Sequence, residues 1–192
     1  MLEIVDYRSS WPEEFRELAA RLRSALGPLA LRIDHIGSTA VPGLAAKDVI
    51  DVQITVAALD DAVLRSLESI GYTHIARIVG DHRPARFDVE PNELDKEWCK
   101  WFFRAPPDSR HTNTHVRLKW SANQRYALLF RDYLRAHPAT AAAYAELKRR
   151  LAVERRDPDM YPDVKDPAVD LIYFAAEEWC AATNWRMGPA EA

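Results

Sequence analysis

The residues with the most evident chemistry lie between Ile33 and Val56, in the run IDHIGSTAVPGLAAKDVIDVQITV. Gly37, Ser38 and Thr39 form a glycine-led polar turn whose backbone N–H groups can cradle a phosphate, with two hydroxyls as extra donors. The same residues also suit a plain structural turn, glycine supplying an unusual φ and the hydroxyls a local cap. No Gly-Lys-Ser/Thr follows at the interval of a Walker loop. Further on, Ile50, Val52, Ile54 and Val56 alternate with Asp51, Gln53 and Thr55, which gives a strand one apolar and one polar face. Asp51 can offer a carboxylate oxygen to Mg²⁺ while Gln53 orients water or ligand beside it, or Asp51 can be a solvated strand-end aspartate. Lys47, in the loop just before, is a candidate phosphate contact.

A second polar face comes later. In His111 to Lys119, the residues His111, Asn113, His115, Arg117 and Lys119 share one side, and Thr112, Thr114, Val116 and Leu118 the other. Lys100 to Arg104 alternates as well, with Lys100, Phe102 and Arg104 together. Antiparallel pairing of the two runs makes a cationic, imidazole-bearing surface suited to a polyanionic small molecule. His111 and His115 lie about 13 Å apart on a strand, too far to hold one metal together. His115 alone can act as a general base, as a ligand in place of a carboxylate or as a donor to phosphate, or it can be a satisfied structural histidine. Arg104, Arg117 and Lys119 can neutralise phosphates or stand as solvated charges. Asp88 and Glu90, on one face of a short alternation at Arg86 to Glu90, are candidates for a third carboxylate ligand. Lys165 is a further phosphate contact, and Tyr161 can stack on a base.

The elements that must position these groups follow from periodicity. Leu2 to Tyr7 reads as an edge strand, and Ser10 with Glu13 as a capping box before a helix bearing Phe15, Leu18, Leu22 and Leu26. Leu31 to Ile36 is a strand into the glycine turn. Asp60 or Asp61 caps a helix running to Ile70, Gly71 ends it, and Tyr72 to Val79 is a strand. From Trp120 the alternation stops and helices follow: Asn123 to Ala136, Ala139 to about Arg156, and Pro167 to about Asn184, with Asp166 as N-cap. Pro158 to Lys165 reads as a loop folding back over the sheet. Two units are expected, an α/β core over 1–120 and a helical subdomain over 121–192 packed on it.

The bulk composition narrows the partners. The chain has 192 residues, 48% of them hydrophobic, with 26 basic against 29 acidic side chains for a net charge of -3. That balance, with no basic aromatic motif, argues against nucleic acid as the ligand. Cys99 and Cys180 lie far apart and outside any zinc pattern, which fits a reduced, cytoplasmic setting. No run approaches the roughly 18 apolar residues of a membrane span, and the N-terminus lacks a signal-peptide pattern.

HIGSTAVPGLAAKDVIDVQITV resembles the GrpB-like family. KWFFRAPPDSRHTNTHVRL resembles that family's aromatic and basic strand followed by its His-rich strand, and LLFRDYLRAHPATAAAYAELKRRLA its helical segment, so the likeness runs from about Trp11 to Trp179. The family is similar in fold to the nucleotidyltransferase superfamily, which implies an α/β (α+β) chain: a mixed sheet of about four or five strands flanked by helices, then further helices. In that superfamily a Gly-Ser turn precedes a strand carrying Asp-x-Asp, and a later strand gives a third carboxylate. Gly37 and Ser38 match the turn, Asp51 the first aspartate, and Gln53 stands at the second, where it brings no negative charge to a two-metal site. The resemblance therefore implies Mg²⁺ at Asp51 and Gln53, a nucleotide or phosphorylated small molecule as ligand, and nucleotidyl transfer as the reaction if one is catalysed. The rival expectation is a non-catalytic binding or regulatory module that keeps the fold. Domains resembling GrpB also occur joined to dephospho-CoA kinase, which implies a tie to coenzyme A metabolism.

Overall fold

The structure, a computed structural model, describes residues 3–84, 96–154 and 161–192. Its strands are β1 (Arg32–Ile36), β2 (Ile50–Val56), β3 (Thr73–His74), β4 (Lys100–Arg104) and β5 (Thr112–Leu118). The longer helices are α1 (Trp11–Leu26), α2 (Asp61–Ser69), α3 (Ala122–Ala136), α4 (Pro138–Glu154) and α5 (Tyr161–Thr183). The strands form one sheet in the order β1-β2-β5-β4-β3. β2 and β5 run parallel at its centre, and the other neighbours are antiparallel. This is the mixed sheet flanked by helices that the sequence implied, including the antiparallel β4–β5 pair.

The two faces of β2 decide the layering. Ile50, Val52, Ile54 and Val56 are all buried and join the apolar stripe of α1, namely Trp11, Phe15, Leu18, Leu22 and Leu26, with Val63 and Leu67 of α2, in one core. The spacing of those helical positions, three or four residues apart, aims one stripe at the sheet. A second apolar cluster joins Leu129, Leu134, Ala141, Tyr144 and Ala145 to Val41, Leu44 and Ala45 from the loop between β1 and β2. The loop is thus pinned under the C-terminal helices. No described helix is long and apolar enough to cross a membrane.

Several local expectations are corrected. Ser10 is already helical (φ -75°, ψ -24°) and makes no side-chain cap. Its hydroxyl donates instead to Glu14 at 2.6 Å. Of the strand expected over Leu2 to Tyr7, the described residues 3–7 supply only an isolated bridge, Val5 to Ala46. Tyr72 to Val79 yields the two-residue β3, after which the chain turns and rejoins β4 through the Gly80–Cys99 bridge. α5 begins at Tyr161, so 161–165 is helical and Pro167 lies inside the helix. Pro162 falls in the first turn, where the missing N–H costs nothing, and it is this proline that starts the helix. Asp60 caps α2 as expected, accepting from the amides of Ala62 and Val63 at 3.0 and 3.1 Å. The strand expected over 86–90 lies outside the described residues.

At the end of β1 the chain makes its tightest approach. Ile36 pairs with Asp51 across the β1–β2 ladder, and Gly37 follows at φ 69°, ψ -169°. A Cβ at Gly37 would stand 2.2 Å from Asp51 Oδ2. Glycine is needed twice over, for the backbone conformation and for the room. On β1 itself, buried His35 stacks on Phe15 at 4.7 Å and its Nε2 shares a 2.9 Å hydrogen bond with Thr39 Oγ1. Burial, helped by Arg135 and Arg131, pushes its pKa down to about 3.

Two outcomes follow for stability. Gly37→Ala costs about 3 kcal/mol or more in urea unfolding, and adding Asp51→Ala recovers only the overlap, about 1–3 kcal/mol, since the backbone strain persists. A full recovery in the double variant would show that φ at 37 is unstrained. The unfolded chain protonates His35 near pH 6.5, whereas the folded chain does so only near pH 3, so stability is lost as pH falls through that window. The expected share approaches about 1.4 kcal/mol per pH unit between about pH 5.5 and 4, and it disappears from the slope in His35→Gln.

Candidate functional site

On the face of the sheet away from α1, register builds three rows. Asp51, Asn113 and Arg104 form the first, Gln53, His115 and Phe102 the second, and Thr55, Arg117 and Lys100 the third. The turn after β1 brings Ser38 and Thr39 to the first row. From across the sheet α4 contributes Tyr144 and Lys148, and α5 contributes Lys165 and Asp166. Together they enclose a cleft of about 530 Å³, continuous in its lining with a smaller one of about 240 Å³ through Ser38, Asp51, Asp81, His115 and Lys165.

Asp81 anchors the floor. Its carboxylate accepts from Arg117 Nε at 2.8 Å, Arg117 Nη2 at 3.0 Å and Asn123 Nδ2 at 3.0 Å, and from Lys100 Nζ. Burial alone would raise its pKa, but Arg117 and Lys100 hold it below the usual carboxylate range. Burial lowers the Lys100 ammonium, and Asp81 opposes the shift. His115 stands edge-on to Phe102, at 5.1 Å between centroids. Burial, then Lys100 and Arg117, keep its pKa well below the ordinary value, so the imidazole is neutral at neutral pH.

Gln53 and Arg117 belong to this floor. Arg117 Nη1 donates to Gln53 Oε1 at 2.5 Å, and Gln53 Nε2 donates to the Gln124 carbonyl at 3.2 Å. Both residues are buried, Gln53 completely. Arg117 thus gives its guanidinium to Asp81 and Gln53, and the Gln53 side-chain oxygen faces Arg117. Asp51 Oδ1 accepts from Asn113 Nδ2 at 2.7 Å, and Asn113 Oδ1 accepts from Arg104, which lies exposed over Phe102. Burial raises the Asp51 carboxyl pKa against the pull of Asn113 and Lys165.

The donor set does not fit the implied Mg²⁺ pair. Gln53 is committed, Asp81 is neutralised, and lysines surround the one remaining carboxylate on β2. Among the described residues no group of three or more His, Cys, Asp and Glu side chains is arranged to hold a metal ion. Asp88 and Glu90 lie outside the described residues.

The lysines are the other half of the cleft. Lys148 Nζ donates to Ser38 Oγ at 2.9 Å and to the Ala45 carbonyl at 2.5 Å, and lies 4.7 Å from the centre of the Tyr144 ring. Burial, reinforced by Lys165, lowers its pKa to about 7. Lys47 is lowered by burial and by Lys165. Lys165 itself is raised, chiefly by the Tyr144 phenol, with burial opposing and Asp166 and Asp51 assisting. Thr39 turns its hydroxyl inward to His35, so of the two hydroxyls expected at a phosphate only that of Ser38 is directed to the lysines. His82 spans the rim, with Nε2 2.8 Å from Asp170 and Nδ1 3.4 Å from Asp166.

Sequence reasoning missed Asp81, Tyr144, Lys148 and Asp166 as residues of the cleft. One signal was present for Lys148, because Ala141, Tyr144, Ala145 and Lys148 are spaced three, one and three residues apart and so share the buried stripe of α4. Asp81 carried no such mark, since a polar turn hides a buried acid.

The comparisons with known proteins agree on the family. A family model described as GrpB protein matches residues 1–174. A dephospho-CoA kinase of Mycobacterium leprae is 38% identical over 193 residues, covering 92% of this chain and 47% of that protein. The chain spans about half the length of this and the similar mycobacterial relatives. The UPF0157 protein BH1888 of Halalkalibacterium halodurans is 35% identical over 174 residues, covering 89% of this chain and 80% of that protein. Among solved structures, the conserved protein GrpB from Enterococcus faecalis superposes with a TM-score of 0.72 at 30% identity, over 92% of this chain and 99% of that one. The chain belongs to the GrpB family.

Proposed function

We propose that the cleft binds a nucleotide or another phosphorylated small molecule, with Lys47 and Lys165 meeting its phosphates and Ser38 beside them. The observation that carries this reading is the concentration of ammonium groups. Lys47, Lys148 and Lys165 line one cleft, and Lys165 is near enough to depress the other two. Holding like charges together under partial burial costs free energy, and an anionic ligand relieves that cost. Lys165 stays charged because the Tyr144 phenol, Asp166 and Asp51 favour its ammonium. Arg104 at the open edge of the first row adds a further cation for the ligand's outer end.

In this reading the lysines supply the positive charge that Mg²⁺ would bring to a two-metal site. Gln53 and Asp81 are occupied by Arg117 and Lys100, so metal-assisted nucleotidyl transfer is not part of it. Asp51 keeps the two lysines oriented and sets the outer limit of the phosphate position, since its carboxylate repels a phosphate brought closer. The relatives named dephospho-CoA kinase make dephospho-CoA a probe worth including beside ATP and inorganic pyrophosphate.

Calorimetry with these three compounds tests the reading. Binding is expected in EDTA as well as in Mg²⁺, and it weakens as KCl is raised, because the attraction is between charges that salt screens. Lys165→Met and Lys47→Met each raise Kd about tenfold or more, the scale of one lost charge-assisted contact. Binding seen only with Mg²⁺, and lost in Asp51→Asn, would return the site to a metal-centred one.

A further inference from the structure

Lys148 does something in this cleft that anion binding does not require. Its side chain is 3% exposed, lies on the buried stripe of α4 and has no carboxylate within ion-pair distance among the described residues. Its two polar partners are the Ala45 carbonyl, which can only accept, and the Ser38 hydroxyl, which can accept or donate. As an ammonium, Lys148 donates to both. Once it loses a proton, one N–H still serves Ala45, and the lone pair faces Ser38 Oγ at 2.9 Å and accepts its hydroxyl hydrogen. That is the arrangement of a serine with a lysine as its base.

We propose that Ser38 is a nucleophile activated by Lys148, and that it attacks a phosphorus atom in a phosphoric anhydride carried by an anionic small molecule. Ser38 suits the role. It is half-buried rather than sealed, borders both parts of the cleft, and follows Gly37, whose backbone conformation turns the chain sharply out of β1. Lys148 suits its role because burial and the neighbouring Lys165 lower its pKa to about 7, within reach of the neutral form. The groups that face it are Lys165 from α5, Asp51 from β2, and Tyr144 and Arg149 on its own helix; Lys47, from the loop before β2, lines the same cleft. Arg149 pairs outward with Asp6.

The step balances without any further reactant. Ser38 Oγ forms a bond to phosphorus, its proton passes to Lys148 Nζ, and the bond from phosphorus to the bridging oxygen breaks. The departing phosphate takes that electron pair as an oxyanion beside Lys47 and Lys165, so it needs no proton. This substrate class rests on the anion-binding reading of the same cleft. The nucleophile itself rests only on the contacts among Ser38, Lys148 and Ala45.

An uncharged alkyl fluorophosphonate separates the two ideas, because it reports an activated serine with no anion bound. In the reaction Ser38 Oγ replaces fluoride on phosphorus. Peptide mass mapping is expected to find the label on Ser38 and to find none in Ser38→Ala. The labelling rate rises about tenfold between pH 6 and pH 8 and then levels, following the neutral fraction of Lys148. Lys148→Arg keeps a charged donor for Ala45 but has no lone pair, so it labels about 100-fold more slowly while its unfolding temperature stays within a few degrees of the parent. Folded protein that leaves Ser38 unlabelled at pH 8, or a rate that is flat with pH and equal in Lys148→Arg, would overturn the proposal. Either result leaves calorimetry with pyrophosphate to judge anion binding on its own.

Discussion

The Asp81 carboxylate is the constraint on which the site depends. It stands beside the start of β4, next to the Gly80–Cys99 bridge, and draws together Lys100 of β4, Arg117 of β5 and Asn123 at the start of α3. Taking such ions out of water costs several kcal/mol apiece, and only close pairing with well-placed hydrogen bonds offsets the cost. The pairing here is complete enough to hold the carboxyl ionised although its side chain is largely withdrawn from water. Arg117 carries the constraint onward, through Gln53 to the Gln124 carbonyl, so the central strands β2 and β5 are tied to α3 by polar bonds as well as by packing. Loss of the acid would strand two buried cations, an imbalance of about 3–5 kcal/mol.

That network divides the charges of the cleft into two kinds. Lys100, Arg117 and Asp81 satisfy one another and form a rigid base. Lys47, Lys148 and Lys165 sit above it with Asp51, and Lys165, itself raised, depresses the other two. Chemistry toward a ligand falls to this upper layer, since a group already holding two or three short hydrogen bonds has little to exchange. The same division accounts for an amide rather than a carboxylate at Gln53. A carboxylate there would meet Arg117 at full charge and compete with Asp81 for it, whereas the amide offers one acceptor to Arg117 and one donor to Gln124.

The sequence made the turn and the strand faces legible because both depend on local rules. Alternation alone placed Asp51, Gln53 and Thr55 on one side of β2, and Lys100, Phe102 and Arg104 with His115 and Arg117 on a shared face. What alternation could not give was partnership. It cannot tell Arg117, folded onto Asp81, from Lys148, aimed at Ser38, since that choice is made by helices distant in sequence. Helix boundaries failed for a related reason. Pro167 reads as a start signal, but Pro162 already supplies one in the first turn of α5, and a later proline is tolerated where packing holds the helix. The family resemblance carried the fold further than propensity could.

The cleft exists only because the loop between β1 and β2 belongs to two cores at once. Its first residues follow β1, whose Ile33 and Ile36 are buried against the sheet and α3. Its later residues Val41, Leu44 and Ala45 are buried with Tyr144 and Ala145 of α4. Ser38 lies between these anchors, and Lys148 lies one turn beyond Tyr144 on the same stripe. The hydrogen bond from Lys148 to the Ala45 carbonyl therefore fixes the lysine to the very loop that carries the serine. A small slide of α4 would move Lys148 and Ala45 together, because Ala45 packs with Tyr144 and Ala145 of α4 and accepts from Lys148, so the 2.9 Å separation from Ser38 depends on how the loop leaves β1. Gly37 governs that exit, and its lack of a side chain lets Asp51 close against it. The glycine, the acid and the serine–lysine pair are thus set by one turn, whose conformation is held from below by the sheet and from above by the helices.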